Sequence, residues 1–123
     1  MTKNFSLHEF ACKDGTPVPK NLIANVEELA KNLQVLRDYL GEPLSILSGY
    51  RTPQHNAKVG GKPNSMHLQA MASDLTCASK SPKQLHTIIE KLIAEKKMKQ
   101  GGLGLYKGFV HYDIRGRKAR WNG

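Results

Sequence analysis

Between residues 21 and 40 the apolar side chains Leu22, Val26, Leu29, Leu33, Leu36 and Leu40 return at alternating steps of four and three. That spacing lines one side of a helix, so it predicts a helix from Asn21 to Leu40 with its stripe against a core. Gly41 supplies the C-terminal stop, and Pro43 forbids continuation. A second stripe, Leu85, Ile88, Ile89, Leu92 and Ile93, predicts a helix running to about Lys97, with Ser81 as N-cap and Pro82 in its first position. Lys96, Lys97 and Lys99 complement the negative end of its dipole. Elsewhere the period shortens. Leu44–Ser48 predicts a strand with a buried centre, and Ala72–Thr76 predicts another with Ala72, Asp74 and Thr76 on one face. Leu103–Tyr106 and Phe109–Ile114 predict two strands around a Lys107-Gly108 hairpin. In the second of these, Phe109, His111 and Asp113 share one face, while Val110, Tyr112 and Ile114 share the other.

The remaining segments are polar. Ser6-Leu7-His8-Glu9 fits a capping box ahead of a short helix through Phe10 and Ala11. Asp14-Gly15-Thr16-Pro17 is turn chemistry. Gln54 to Asn64, broken by Gly60-Gly61 and Pro63, predicts a long loop, and loops of that length in compact domains tend to be functional. Arg115 to Trp121 predicts a basic tail with Trp121 packed back on the core. Helices and strands in this order, over 123 residues, predict one α+β domain.

Nineteen Lys and Arg against ten Asp and Glu give a net charge of +9. Such a surface attracts polyanions, among them nucleic acid, anionic lipid and bacterial wall polymers. Three Phe, four Tyr and one Trp, with no recognition motif, argue against nucleic acid as the partner. No apolar run reaches the roughly 20 residues of a membrane span. The N-terminal residues Met1 to Ser6 lack an apolar core and a cleavage site, so the expectation is cytosolic synthesis without a signal peptide. Cys12 and Cys77 show no Cys-x-x-Cys spacing and are expected as reduced, buried thiols in a monomer.

The chemistry-bearing stretch is Ser65 to Asp74. His67 and Asp74, together with His111 near the other end of the chain, make a set of two imidazoles and one carboxylate. That is the ligand set of a catalytic zinc ion, with a fourth position open to water. The small residues Ala70, Ala72 and Ser73 let the backbone bring His67 and Asp74 to one ion. Arg51 emerges at the end of a buried strand, where its planar fork of donors suits a carboxylate. His8 lies within a helix cap and is expected to be structural or exposed, His86 lies off the apolar stripe and is expected to be solvated, and neither is expected to be a ligand.

These residues resemble a known family. Ser65-x-His67 followed by Ala72-x-Asp74, with a distal His111, resembles the Ser-x-His-x-x-Gly-x-Ala-x-Asp pattern of the zinc D-alanyl-D-alanine carboxypeptidases. They share a fold with bacteriophage L-alanyl-D-glutamate endolysins, murein endopeptidases and the hedgehog signalling domain. Phe5-Ser6-x-x-Glu9-Phe10-x-Cys12, Ser48-Gly49-Tyr50-Arg51, His55-Asn56, Gly60-Gly61, Gly102-x-Gly104-x-Tyr106 and His111-x-Asp113-x-Arg115 look like the small phage-type branch.

The resemblance implies an α+β fold with helices on one antiparallel sheet. It implies zinc ligands at His67, Asp74 and His111, with Arg51 on a substrate carboxylate and Tyr50 and Ser65 beside it. The substrate class implied is the peptidoglycan stem peptide, cut at a bond involving a D-amino acid. A phage or prophage lysis enzyme, released to the wall through a separate pore, would reconcile that substrate with the absent export signal.

Two departures stand out. Ala70 occupies the place of the motif glycine, which requires that the backbone there not need positive φ. Phe109 and Gly108 occupy positions where relatives carry a proton-moving side chain. Asp113 is therefore expected to act as general base, the alternative being a carboxylate that orients a ligand imidazole. His55 is expected to stabilise the oxyanion. The rival reading of the whole chain is a non-enzymatic, zinc-stabilised module that binds the cell wall or another polyanion.

Overall fold

The long apolar stripe forms as expected. The computed structural model describes residues 1–123 and places helix α1 at Ile23–Leu40, entered through a 3-10 turn at Lys20–Leu22. Val26, Leu29, Leu33 and Leu36 are fully buried. Gly41 closes the helix in the left-handed conformation, its N–H bonded to the Arg37 carbonyl. Helix α3, Pro82–Ala94, starts at a Ser81–Gln84 capping box and buries Leu85, Ile89 and Leu92.

Five strands make one sheet: β1 Leu44–Ser48, β2 Ala72–Cys77, β3 Gly102–Leu105, β4 Val110–Asp113 and β5 Ala119–Asn122, in the order β1-β2-β4-β3-β5. Neighbours are antiparallel except β3 and β5, which run parallel. The fold is α+β, as expected, but the sheet is mixed rather than purely antiparallel. The difference lies in the basic tail, whose residues 119–122 form the edge strand β5. Arg120 anchors that strand, its guanidinium donating to the Glu90 carboxylate on α3 and to the Gln100 side chain and Gly101 carbonyl.

The two faces of the sheet carry different chemistry. Leu75, Leu103, Val110 and Tyr112 point into the apolar cluster shared with α1 and α3. Across the opposite face the register lines up Ser48, Asp74, His111, Gly104 and Trp121, one residue from each strand. An irregularity in β1 between Ile46 and Ser48 brings Ser48 opposite Asp74. A bulge of this kind bends the strand locally and re-aims a side chain.

Two segments differ from expectation. Pro53–Lys58, within the expected loop, is the short helix α2. Thr52 stays extended ahead of Pro53 and caps the helix by accepting the His55 N–H. At Ala70 the backbone does adopt positive φ, +57°, where it ends the 3-10 turn Met66–Gln69. The turn needs the left-handed conformation and alanine accepts it, at a strain of about 1–2 kcal/mol. The buried methyl offsets this by about 0.8 kcal/mol, and the lower chain entropy of the unfolded state by about 0.4–1 kcal/mol. Ala70→Gly is therefore expected to leave stability unchanged within about 1 kcal/mol, whereas Ala70→Val, β-branched at positive φ, costs more than about 2 kcal/mol. Urea denaturation of both variants checks the contrast.

Candidate metal centre

His67 stands on the Met66–Gln69 turn, which is tied down on both sides. Ser65 Oγ accepts the His67 N–H at 3.2 Å, and the His67 carbonyl accepts the Arg51 N–H at 3.0 Å. The ring is 2% exposed, with Nδ1 2.7 Å from the Gly49 carbonyl oxygen. A carbonyl can only accept, so Nδ1 carries a proton, and in the neutral ring Nε2 keeps a bare lone pair. Gly49 is needed here because a Cβ would lie 2.9 Å from the Phe10 backbone.

His111 on β4 is held the other way round. Its Nε2 donates to Asp113 Oδ2 at 2.7 Å, which turns Nδ1 inward. Between the two rings lies Asp74 Oδ1, 3.2 Å from His67 Nε2 and 3.3 Å from His111 Nδ1. All three donor atoms lie within 4.8 Å of one another, and all three residues are buried. With both outer nitrogens committed as donors, three electron-rich atoms face one point. The arrangement is repulsive until positive charge lies among them, either a ring proton or a cation.

The spacing fits a cation. Zinc–nitrogen and zinc–oxygen bonds of about 2.0–2.1 Å at tetrahedral angles put donor atoms roughly 3.3–3.4 Å apart. Electrostatics agree. Burial alone would raise the Asp74 carboxyl, but the bonds and charge of His111 and His67 hold it well below the usual carboxylate range. Burial alone would lower His111, yet Asp113 and Asp74 together push it up. A site that favours a proton on His111 this way also favours a metal ion, which takes over the same pairing as the proton leaves.

The structure does not suit Asp113 to the role of general base. It is fully buried, and both oxygens are occupied. Oδ1 accepts from the Gly102 N–H, the Arg115 N–H and Arg115 Nε, while Oδ2 accepts from Arg115 Nη2 and His111. Burial would raise its pKa, but Arg115 and His111 keep it well below the ordinary carboxylate value. A carboxylate this stabilised is a poor proton acceptor. Its geometry is that of a group that sets the tautomer and orientation of His111.

Arg51 donates through Nη2 to Asp74 Oδ2 at 3.1 Å, through Nε to Ser48 Oγ at 3.2 Å, and through Nη1 to Asn56 Oδ1 at 3.3 Å. It thus holds the outer oxygen of Asp74 and leaves Oδ1 facing the imidazoles. The family described as Peptidase M15 matches residues 3–113. This chain belongs to the peptidase M15 family. M15 peptidases are metal-dependent, so membership implies a metallopeptidase. No curated protein matches the chain.

Of the other residues expected at the site, Ser65 lies beside His67 and His55 lies apart from it. Tyr50 is 8% exposed and belongs to the apolar cluster. Ser65 is half-buried and uses its oxygen to cap the His67 turn. His55, on α2, has its ring beside Cys12 and Asp14 and not in the His67 triangle. His8 is exposed and His86 half-exposed, and neither belongs to a cluster of metal-ligating side chains. Both cysteines are free and buried.

Sequence reasoning packed Trp121 on the core, whereas the structure places it on the opposite face of the sheet, beside His111. Its indole lies 4.9 Å from the His111 ring, between centroids, with the Arg115 guanidinium 5.4 Å away. Trp121 Nε1 donates to the Tyr106 hydroxyl at 2.9 Å, and Tyr106 stacks on Phe109 at 4.5 Å. The signal was Gly104, a glycine inside a strand, which marks close approach of another group. A Cβ there would lie 2.4 Å from the indole nitrogen.

Asp113→Asn tests the orienting role. The amide weakens the bond that fixes the His111 tautomer, so metal affinity is expected to fall roughly 10–100-fold. Competition with a chromophoric chelator measures it, and unchanged affinity would detach Asp113 from the metal site.

Proposed function

We propose that this M15 member is a zinc peptidase that hydrolyses a bond involving a D-amino acid in the stem peptide of peptidoglycan. One observation carries the reading. Two imidazoles, each with its outer nitrogen engaged as a donor, aim bare lone pairs at the same carboxylate oxygen. Two nitrogens and one oxygen, with both nitrogen–oxygen separations near the tetrahedral value, suit zinc, and three protein donors leave a coordination position for substrate or water. A zinc ion held by His67, Asp74 and His111 would supply Lewis acidity and lower the pKa of water toward neutrality.

The protein's own residues do the remaining work. Arg51 has five N–H groups, of which its three bonds leave two for the carboxylate of a peptide substrate. That anchor selects which bond lies against the metal centre. Tyr106 takes the proton-moving role: its oxygen already accepts from Trp121, so its own O–H would give its proton to the leaving amine and take one back from the attacking water. Asp113 and Arg115 keep His111 in register. The specificity for a D-amino acid bond rests on the likeness of Ser65-x-His67, Ala72-x-Asp74 and His111-x-Asp113 to the zinc D-alanyl-D-alanine carboxypeptidases. In this reading residues 1–123 act as one monomeric unit, made in the cytosol and released on lysis. The charge of +9 then holds the protein on the anionic wall.

One observation favours a second reading, a zinc-stabilised module that binds the wall without cutting it. Phe109 and Gly108, just before His111, carry no titratable group, and Asp113 is saturated. Incubating metal-loaded protein with purified peptidoglycan and identifying released termini by mass spectrometry separates the two. Released D-alanine marks a carboxypeptidase, and new glutamate-linked termini mark an endolysin. Binding without release marks the module.

Two variants refine the enzymatic reading. Tyr106→Phe is expected to lower kcat roughly 10²-fold with metal content unchanged. Arg51→Lys, which loses the planar fork, is expected to raise KM for substrates with a free C-terminus; steady-state kinetics on a synthetic stem peptide measures both.

A further inference from the structure

Away from the His67 triangle, the chain assembles another set of metal-ligating side chains. Cys12 and Asp14 lie in the turn between the 3-10 turn Leu7–Phe10 and α1, and His55 follows in the first turn of α2. Although 43 positions separate Cys12 from His55, the sulfur, a carboxylate oxygen and an imidazole nitrogen all lie within 4.8 Å of one another. The proposed peptidase chemistry uses none of the three.

The surroundings fit a site better than a chance meeting of surface groups. Cys12 is 4% exposed, with its sulfur 4.0 Å from Thr52 Oγ1. Asp14 accepts from the Thr16 N–H at 2.9 Å and the Thr52 hydroxyl at 2.8 Å, so the carboxylate is ionised and pointed at α2. These bonds, with a further one from Cys12, hold it well below the usual carboxylate range. Tyr50, also buried, has its phenol close enough that the charges of Cys12 and Asp14 add to burial in raising its pKa. A sulfur, an oxygen and a nitrogen donor are therefore collected beside one ionised carboxylate.

We propose that Cys12, Asp14 and His55 form a second cation site, for zinc or a similar borderline divalent ion, that clamps the N-terminal segment onto α2. Thiolate, imidazole and carboxylate are zinc donors, and a thiolate argues against magnesium or calcium, which take oxygen. Zinc donors in a tetrahedral site lie roughly 3.3–3.8 Å apart, so the trio closes on an ion by shifting about 1 Å. His55 is half-exposed, which leaves its ring free to turn toward the ion while Asp14 stays held by Thr16 and Thr52. The clamp bears on the peptidase site, because α2 carries Asn56 and Asn56 accepts from Arg51.

Cobalt(II) reconstitution tests this, since a cobalt–thiolate bond gives a near-ultraviolet charge-transfer band that imidazole and carboxylate do not. Wild-type protein is expected to bind two equivalents of Co2+ and to show the band. Cys12→Ser is expected to bind one equivalent without the band. His67→Ala with Asp74→Asn is expected to bind one equivalent and keep it. His55→Gln, at a half-exposed position where misfolding is not a concern, should weaken the thiolate-bearing equivalent at least tenfold. A single equivalent without the band in wild type would overturn the proposal, as would two equivalents retained in Cys12→Ser. Neither result touches the His67 site, whose failure would show as loss of the equivalent that carries no thiolate.

Discussion

The Oδ1 atom of Asp74 faces two imidazole nitrogens at 3.2 and 3.3 Å, and much of the fold serves to keep these three electron-rich atoms together. Left alone they would part. The Gly49 carbonyl fixes the proton on one ring and Asp113 fixes it on the other, while Arg51 occupies the far oxygen of Asp74. Each constraint removes a way for the inner atoms to satisfy themselves with a hydrogen bond. What remains is a demand for positive charge at one point, which is the electrostatic condition for binding a metal ion.

The sheet meets that demand through its register. Asp74 and His111 are directly paired on antiparallel β2 and β4, so a carboxylate and an imidazole arrive side by side without help from loops. The β1 irregularity adds Ser48, which accepts from Arg51. Gly104 on β3 leaves room for the Trp121 indole from β5 to lie against His111. Only His67 comes from outside the sheet, and three bonds, through Ser65, Arg51 and Gly49, pin its short turn. A site placed on strands holds its geometry more tightly than one placed on loops.

His67, Asp74 and His111 could be read from the sequence as one candidate set because each carries its own signal: Ser65-x-His67, Ala72-x-Asp74 and a His-x-Asp strand. The long helix was equally readable from its apolar period. Other features depend on partners remote along the chain. The saturation of Asp113 depends on the Gly102 amide across the sheet and on the path of Arg115. Strand β5 reads as a charged tail because Arg120 looks solvated until Glu90 and Gln100 are in place. Helix α2 has only six residues and no apolar stripe, yet Thr52-Pro53 already carried a capping residue and a first-turn proline. Ala70 shows the converse: alanine in the place of the motif glycine was read as requiring a backbone without positive φ, yet the chain is left-handed there.

Membership of the M15 family gives the chain a class of chemistry, and the His67, Asp74 and His111 triangle is the place proposed for it. The most direct measurement is a crystal structure of the zinc-loaded protein with anomalous diffraction recorded on both sides of the zinc edge. An anomalous peak bonded to His67 Nε2, Asp74 Oδ1 and His111 Nδ1, with no further protein ligand, is the expected result. A triangle without such a peak, or a peak closed by a fourth protein donor, would contradict the account.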